Sequence, residues 1–220
     1  MKTLAVIPAK GHSNRIPDKN LKLLEGKTLL EHTITHALGS KHIDKIVVST
    51  EDNTIKEIAR MYPIDIVDRP PHLATDTAST ESVIQDVLDK TEEEYDTIIL
   101  LQCTSPLRKS SDIDEIMDMY NTDGFDSIVS VCNDTSIIWK KKYRYGIPVS
   151  FSLTDRPKRS QDIDLYRENG AIYIFSYPGF LKHRSRVFGR IGLYIMPVER
   201  SADIDNMEDL EYVRWKYGKI

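Results

Sequence analysis

"TLAVIPAKGHSNRIPDKN", residues 3–20, joins an apolar run to a short loop that holds three cations, a histidine and a single anion. The run "TLAVIP" is continuous rather than alternating, which marks a strand covered on both faces. In an open α/β sheet, ligands bind where loops leave the carboxyl ends of the strands. The loop 9–20 therefore stands at a ligand position, with Lys10, Arg15 and Lys19 supplying charge and Gly11 permitting close backbone approach. A polyphosphate is the partner this chemistry suits.

The rest of the chain repeats the opening pattern. Strand-like runs follow at 44–50 ("DKIVVST"), 97–103 ("TIILLQC"), 126–132 ("DSIVSVC"), 171–176 ("AIYIFS") and 192–198 ("GLYIMPV"). Amphipathic helix patterns occupy 28–39, 53–61, 79–91 and 112–121, and a last helix is expected at about 206–217. Thr77 and Ser79 stand at one helix start, Ser111 and Asp112 at another. Strand and helix in alternation predict an α/β fold with a mostly parallel sheet. Residues 133–168 break the pattern: "WKKKYRYG" and "TDRPKRSQD" are polar, aromatic and basic, and they read as an arm extending from a single domain of residues 1–220.

Bulk composition excludes several classes of function. The chain has 220 residues, 40% hydrophobic and 29% charged, enough to bury a substantial core. Lys and Arg total 30 against 34 Asp and Glu, a net charge of −4, so neither a nucleic-acid-coating surface nor a disordered acidic chain is expected. The opening apolar run is about half as long as a bilayer requires, and neither a signal peptide nor membrane association is expected. Cys103 and Cys132 lack zinc-site spacing and read as reduced core thiols of a cytoplasmic protein.

Two motifs are decoys. "EGKT" (25–28) imitates the end of a P-loop, but that motif needs glycine where Leu21 stands. His32 and His36 are one helical turn apart, yet Thr33 replaces the glutamate of a zinc protease and no third ligand is near. Other stretches resist a purely structural reading. "QCTSPLR" (102–108) ends a strand with a dense polar cluster including Gln102, Thr104 and Arg108. "DRPPHLATDTAST" (68–80) offers Arg69 among small hydroxyl residues. Asp203 and Asp205, two apart in an extended segment, share a face and suit a hard cation such as magnesium. The alternative is that Asp205 caps the last helix.

Taken in order, "IPAKGHSNRIPDKN", "RPPHLATDTAS", "LLQCTSPLR", "YRENGAIYIF" and "DIDNMEDL" resemble the motifs of the acylneuraminate cytidylyltransferases, the CMP-sialic acid synthetases. The resemblance implies a Rossmann-like nucleotidyltransferase sheet, a small dimerisation extension and a homodimer in which the partner subunit helps close the sugar site. It implies transfer of CMP from CTP to the anomeric hydroxyl of a nine-carbon 2-keto sugar acid, with Mg2+, releasing pyrophosphate. CMP-Kdo synthetases and other sugar nucleotidyltransferases share the first motif and are the alternative.

Carried over by position, the family's CTP contacts fall on Lys10, Gly11, Ser13, Arg15, Lys19, Asn20, Arg69, Ala78 and Thr80. Its sugar-acid contacts fall on Gln102, Thr104, Lys140, Arg159, Arg167 and Asn169. Lys10, Lys19, Gln102, Asp203 and Asp205 carry the expected catalytic roles, the two aspartates as magnesium ligands. Lys10 stands where the family usually has arginine, which keeps the charge and loses bidentate recognition of phosphate oxygens. "SNR" replaces the common "SKG", and Thr80 replaces serine with its hydroxyl kept.

Overall fold

The computed structural model describes residues 1–157 and 164–219. Strands β1 (Thr3–Pro8), β4 (Lys45–Thr50), β6 (Thr97–Leu101) and β7 (Ser127–Asn133) fall where the apolar runs place them. They join β5 (Asp65–Asp68), β10 (Tyr166–Ser176) and β11 (Ile191–Ile195) in one sheet of order β11-β7-β10-β6-β1-β4-β5. The pairs β1–β4, β1–β6, β4–β5 and β7–β11 are parallel. Strand β10 runs antiparallel to both neighbours, β6 and β7. After β5 the chain crosses back to the other side of β1, so the direction of winding switches between β1 and β6.

Helices cover both faces. On one, α1 (Leu29–Leu38), α2 (Asn53–Ala59), α4 (Ser110–Asp123) and α6 (Met207–Tyr217) bury Leu29, Ile34, Ile55, Ile113, Ile116, Leu210 and Val213 against Ala5, Ile7 and Ile99. On the other, α3 (Thr80–Lys90) and α5 (Tyr177–His183) pack Ile84, Val87 and Phe180 on Leu4, Val6 and Leu100. Alternate residues of β1 thus feed opposite cores, which is why its sequence is apolar throughout. Ser79 caps α3, accepting from the Ser82 amide at 3.1 Å. Helix α4 starts earlier than the sequence suggests: its cap position is Lys109, and the Asp112 carboxylate reaches back to the Lys109 amide at 2.7 Å.

The expected arm leaves and re-enters the sheet at one place. Asn133 pairs with Tyr166, and the Asp134 amide donates to the Leu165 carbonyl at 2.9 Å. Between these points β8 (Trp139–Lys142) and β9 (Tyr145–Pro148) form an antiparallel hairpin with Trp139, Tyr143 and Tyr145 exposed. The main sheet resumes at Tyr166, so the final residues of the expected 133–168 segment belong to β10. A two-stranded hairpin, β2 (Leu23–Leu24) with β3 (Lys27–Thr28), links the basic loop to α1. No helix among the described residues is long and apolar enough to cross a membrane.

Candidate functional site

Parallel strands deliver their carboxyl ends to one edge of the sheet, and a cleft of about 330 Å³ opens there beside the switch between β1 and β6. From β1 come Lys10, Arg15, Lys19 and Asn20; from β5 come Arg69 and the turn that carries Ala78 and Thr80; from β6 come Gln102 and Thr104. The segment before α6 adds Asp203 and Asp205 from the far wall. Backbone pairing fixes that wall: the Ile204 amide donates to the Thr104 carbonyl at 2.9 Å, and Lys19 Nζ donates to the Ile204 carbonyl at 2.9 Å.

The antiparallel course of β10 brings its amino end beside the carboxyl end of β6. Between Glu168 and Tyr173, β10 advances five residues while β7 gives only two, from Val131 to Val129. Gly170, at φ 69°, occupies this bulge, and a Cβ there would meet Gln102 Oε1 at 2.9 Å and Asp203 Oδ2 at 3.5 Å. Glycine thus lets the bulge close against the two side chains expected to face the reaction.

Every cation of the loop already has a carboxylate partner. Lys10 pairs with Asp76, which also accepts from Asn14 Nδ2. Arg15 lies 3.0 Å and Lys19 3.6 Å from Asp205. The loop's positive charge is thus neutralised within the protein itself. Arg69 is nearly fully buried, donating to the Ser49 hydroxyl at 3.2 Å and the Ser49 carbonyl at 2.7 Å, and burial lowers its proton affinity.

Asp203 differs from the other carboxylates of the cleft. Its residue is exposed at the cleft wall, yet partial loss of water around its carboxyl raises the pKa above the ordinary carboxylate value, opposed by a Thr104 hydrogen bond and reinforced by neighbouring Asp205. The folded protein holds this proton more tightly than the unfolded chain, so Asp203 favours folding below its ordinary pKa. That contribution is lost as pH rises through the raised value. An Asp203→Asn variant should therefore gain stability relative to wild type as pH goes from about 4 to 7, measured by urea denaturation without divalent cations. A difference that stays flat or shrinks across that range would show that the fold does not raise the proton affinity of Asp203.

A sequence model described as cytidylyltransferase matches residues 4–199. The chain belongs to the cytidylyltransferase family. It is 35% identical over 218 residues to an N-acylneuraminate cytidylyltransferase of Streptococcus agalactiae, covering 97% of this chain and 52% of that protein. It is 35% identical over 221 residues to a CMP-N,N'-diacetyllegionaminic acid synthase of Legionella pneumophila, covering 95% of this chain and 93% of that one. The chain spans about half the length of the Streptococcus relative and nearly all of the Legionella one. Its fold is similar to a solved CMP:2-keto-3-deoxy-manno-octonic acid synthetase complexed with CTP, with TM-score 0.72, 18% identity and coverage of 100% and 99% of the two chains.

In this member of the family some expected contacts stand apart from the cleft. The Gly11 amide is taken by Glu51 Oε1 at 2.8 Å, and a Cβ at Gly11 would lie 2.6 Å from Asp52, so packing against Asp52 demands the glycine. Ser13 is buried and lines none of the clefts described. Lys140 is exposed on β8, away from the cleft, and Arg159 lies outside the described residues. Arg167 lines a second cleft of about 520 Å³, with Glu168 and Tyr212, that meets the first at Asp203 and Asp205.

Asn169, expected to contact the sugar acid, spends its side-chain amide on the protein's own groups. It is fully buried: Oδ1 accepts from the Ser130 hydroxyl at 2.7 Å and the Ala171 amide at 3.2 Å, and Nδ2 donates to the Ser201 hydroxyl at 3.0 Å. Its amide ties β7, the β10 bulge and the 201–205 segment together. Asn169→Ala should cost about 1–3 kcal/mol, the penalty for stranding buried polar groups, in chemical denaturation. Unchanged stability with a raised Michaelis constant for an acceptor would instead make Asn169 a substrate contact.

Asp76 was not singled out from the sequence, and an acid inside the hydroxyl run "ATDTAST" was the available signal. The cap of α6 is Asn206 rather than Asp205: Asn206 Oδ1 accepts from the Asp209 amide at 2.9 Å, leaving the Asp205 carboxylate to the cleft. Among the described residues no group of three or more His, Cys, Asp or Glu is placed to hold a metal by itself.

Proposed function

We propose that the protein transfers CMP from CTP to the anomeric hydroxyl of a nonulosonic acid, a nine-carbon 2-keto sugar acid, releasing pyrophosphate. One observation carries the reading: the basic loop and the Asp203/Asp205 pair line one cleft, with Arg15 and Lys19 in contact with Asp205, and that cleft continues past the aspartates into a second. The first cleft has the size and polarity for a nucleotide. The second, with Arg167 at its wall, offers a guanidinium to an acceptor carboxylate. The likeness to the Legionella synthase over nearly its whole length supports an acceptor of this class over Kdo.

The donor set suits magnesium. That cation is commonly held by one or two carboxylates, with water and substrate phosphate oxygens completing the shell. Asp203 and Asp205 line the same cleft, and the raised proton affinity of Asp203 reflects a charge without full compensation. Bound there, magnesium would supply positive charge to phosphate oxygens. The chain's own groups do the rest. Lys10, Arg15 and Lys19 exchange their carboxylate partners for the triphosphate and stabilise the charge that grows on departing pyrophosphate. Gln102, held against Gly170, orients the acceptor beside the α-phosphate.

The hairpin β8–β9, which exposes Trp139, Tyr143, Tyr145 and Ile147 among its lysines, is the surface we assign to a second copy, giving a homodimer, and the two buried free thiols fit a cytoplasmic setting. The decisive assay is pyrophosphate release from CTP and Mg2+ with N-acetylneuraminic, legionaminic, pseudaminic and Kdo acids offered separately. Release that requires CTP and a nine-carbon acid is expected. Release with Kdo alone would move the protein to the Kdo synthetases, and silence with all four from folded, CTP-binding protein would end the reading.

A further inference from the structure

Behind the floor of the cleft, where α1, the turn before α4 and α6 meet, a separate cavity of about 190 Å³ is lined by His36, Leu107, Arg108, Lys109, Arg200 and Tyr217. Three of these residues are cations, and no carboxylate lines the cavity among the described residues. Arg108 is 1% exposed and the largest fully buried side chain described.

Only part of its guanidinium is used. Nη1 donates to the Ala171 carbonyl at 2.7 Å and the Gln102 carbonyl at 3.3 Å. Nε and Nη2 are buried without an acceptor among the described residues, and His36 Nδ1 is buried without a partner. Burial lowers the pKa of Arg108 to about 10, which leaves it charged at neutral pH. His36, lowered to about 3 by burial and by Arg108, is neutral there and has one ring N–H to donate.

A buried charge needs a counter-charge or full hydrogen bonding. The nearest carboxylate cannot supply it. Asp112 is already engaged by both terminal nitrogens of Arg200, by the Tyr194 hydroxyl at 3.2 Å and by the Lys109 amide at 2.7 Å. Helix α4 also begins at Ser110, so its dipole adds positive potential on the same side.

We propose that this cavity is a binding site for a small tetrahedral oxyanion of the phosphate and sulfate class, held by Arg108 Nε and Nη2 and by His36, with Lys109 adding charge. The volume holds several waters at about 30 Å³ each, room enough for such an ion. Because Arg108 also grips the carbonyls of Gln102 and Ala171, an ion there braces the two strand ends that form the cleft floor. The site stands whether or not the acceptor assignment above is right.

The test is titration calorimetry of inorganic phosphate into protein saturated with CTP, acceptor and metal omitted, so that the nucleotide cleft is filled. One phosphate per chain is expected, weakened at least about tenfold in Lys109→Met and in His36→Leu, each the loss of one strong partner. Arg108→Met risks the fold, so a crystal soaked with selenate and CTP provides the second measurement, with anomalous signal expected within hydrogen-bonding distance of Arg108. Absence of phosphate uptake, unchanged affinity in both variants, or selenate confined to the nucleotide cleft would each overturn the site.

Discussion

Asp205→Asn should leave the protein folded and reduce CTP-dependent pyrophosphate release by at least about a hundredfold, the scale set by removing one preorganised charge from a reacting phosphate. The fold survives because Asp205 is about half exposed, its pair with the exposed Arg15 is of the solvated kind, worth roughly 0–1 kcal/mol, and Lys19 keeps its bond to the Ile204 carbonyl. Helix α6 keeps its cap, which Asn206 provides. Turnover should suffer, on the proposed magnesium role, because asparagine is a poor ligand for a hard cation and Asp203 loses its neighbouring carboxylate. The measurement is pyrophosphate release against magnesium concentration, beside a denaturation curve. A folded variant that keeps wild-type turnover and the same magnesium dependence would remove Asp205 from the reaction.

Lys19→Met should lower kcat/KM for CTP by roughly a hundredfold, more than Arg15→Ala, for which a change within about tenfold is expected. The difference lies in burial. The Lys19 side chain is 14% exposed and sits over the Ile204 carbonyl, whereas Arg15 is 67% exposed, where water screens its charge. Methionine keeps most of the stem's volume and removes the charge. If Lys19 stabilises departing pyrophosphate, kcat should carry most of the loss. Equal effects in the two variants, confined to the Michaelis constant for CTP, would reduce the loop to a binding surface.

How far the fold is legible in the sequence follows from how each strand is buried. Strands β1, β4, β6 and β7 are covered on both faces, so continuous Val and Ile runs announce them. Strand β5, "DIVD", is a half-exposed sheet edge of four residues, and its pattern is too short to separate from a loop. Strand β10 was legible only from Ala171 onward, because Tyr166, Arg167 and Glu168 are exposed and polar. Nothing in its composition states that it runs antiparallel, since parallel and antiparallel strands can bury the same side chains.

The chain's sequence alone determined the α/β class, the basic loop after the first strand, the paired aspartates and the family, because each is written in local periodicity or contiguous residue types. Only the tertiary structure decided which of these groups meet. It paired Lys10 with Asp76, turned the Asn169 amide inward and freed Asp205 from helix capping. It also left Nε and Nη2 of Arg108 without an acceptor among the described residues. The physical reason is that a charge's partner is set by distance across strands far apart in sequence, while helix and strand signals repeat within a few residues.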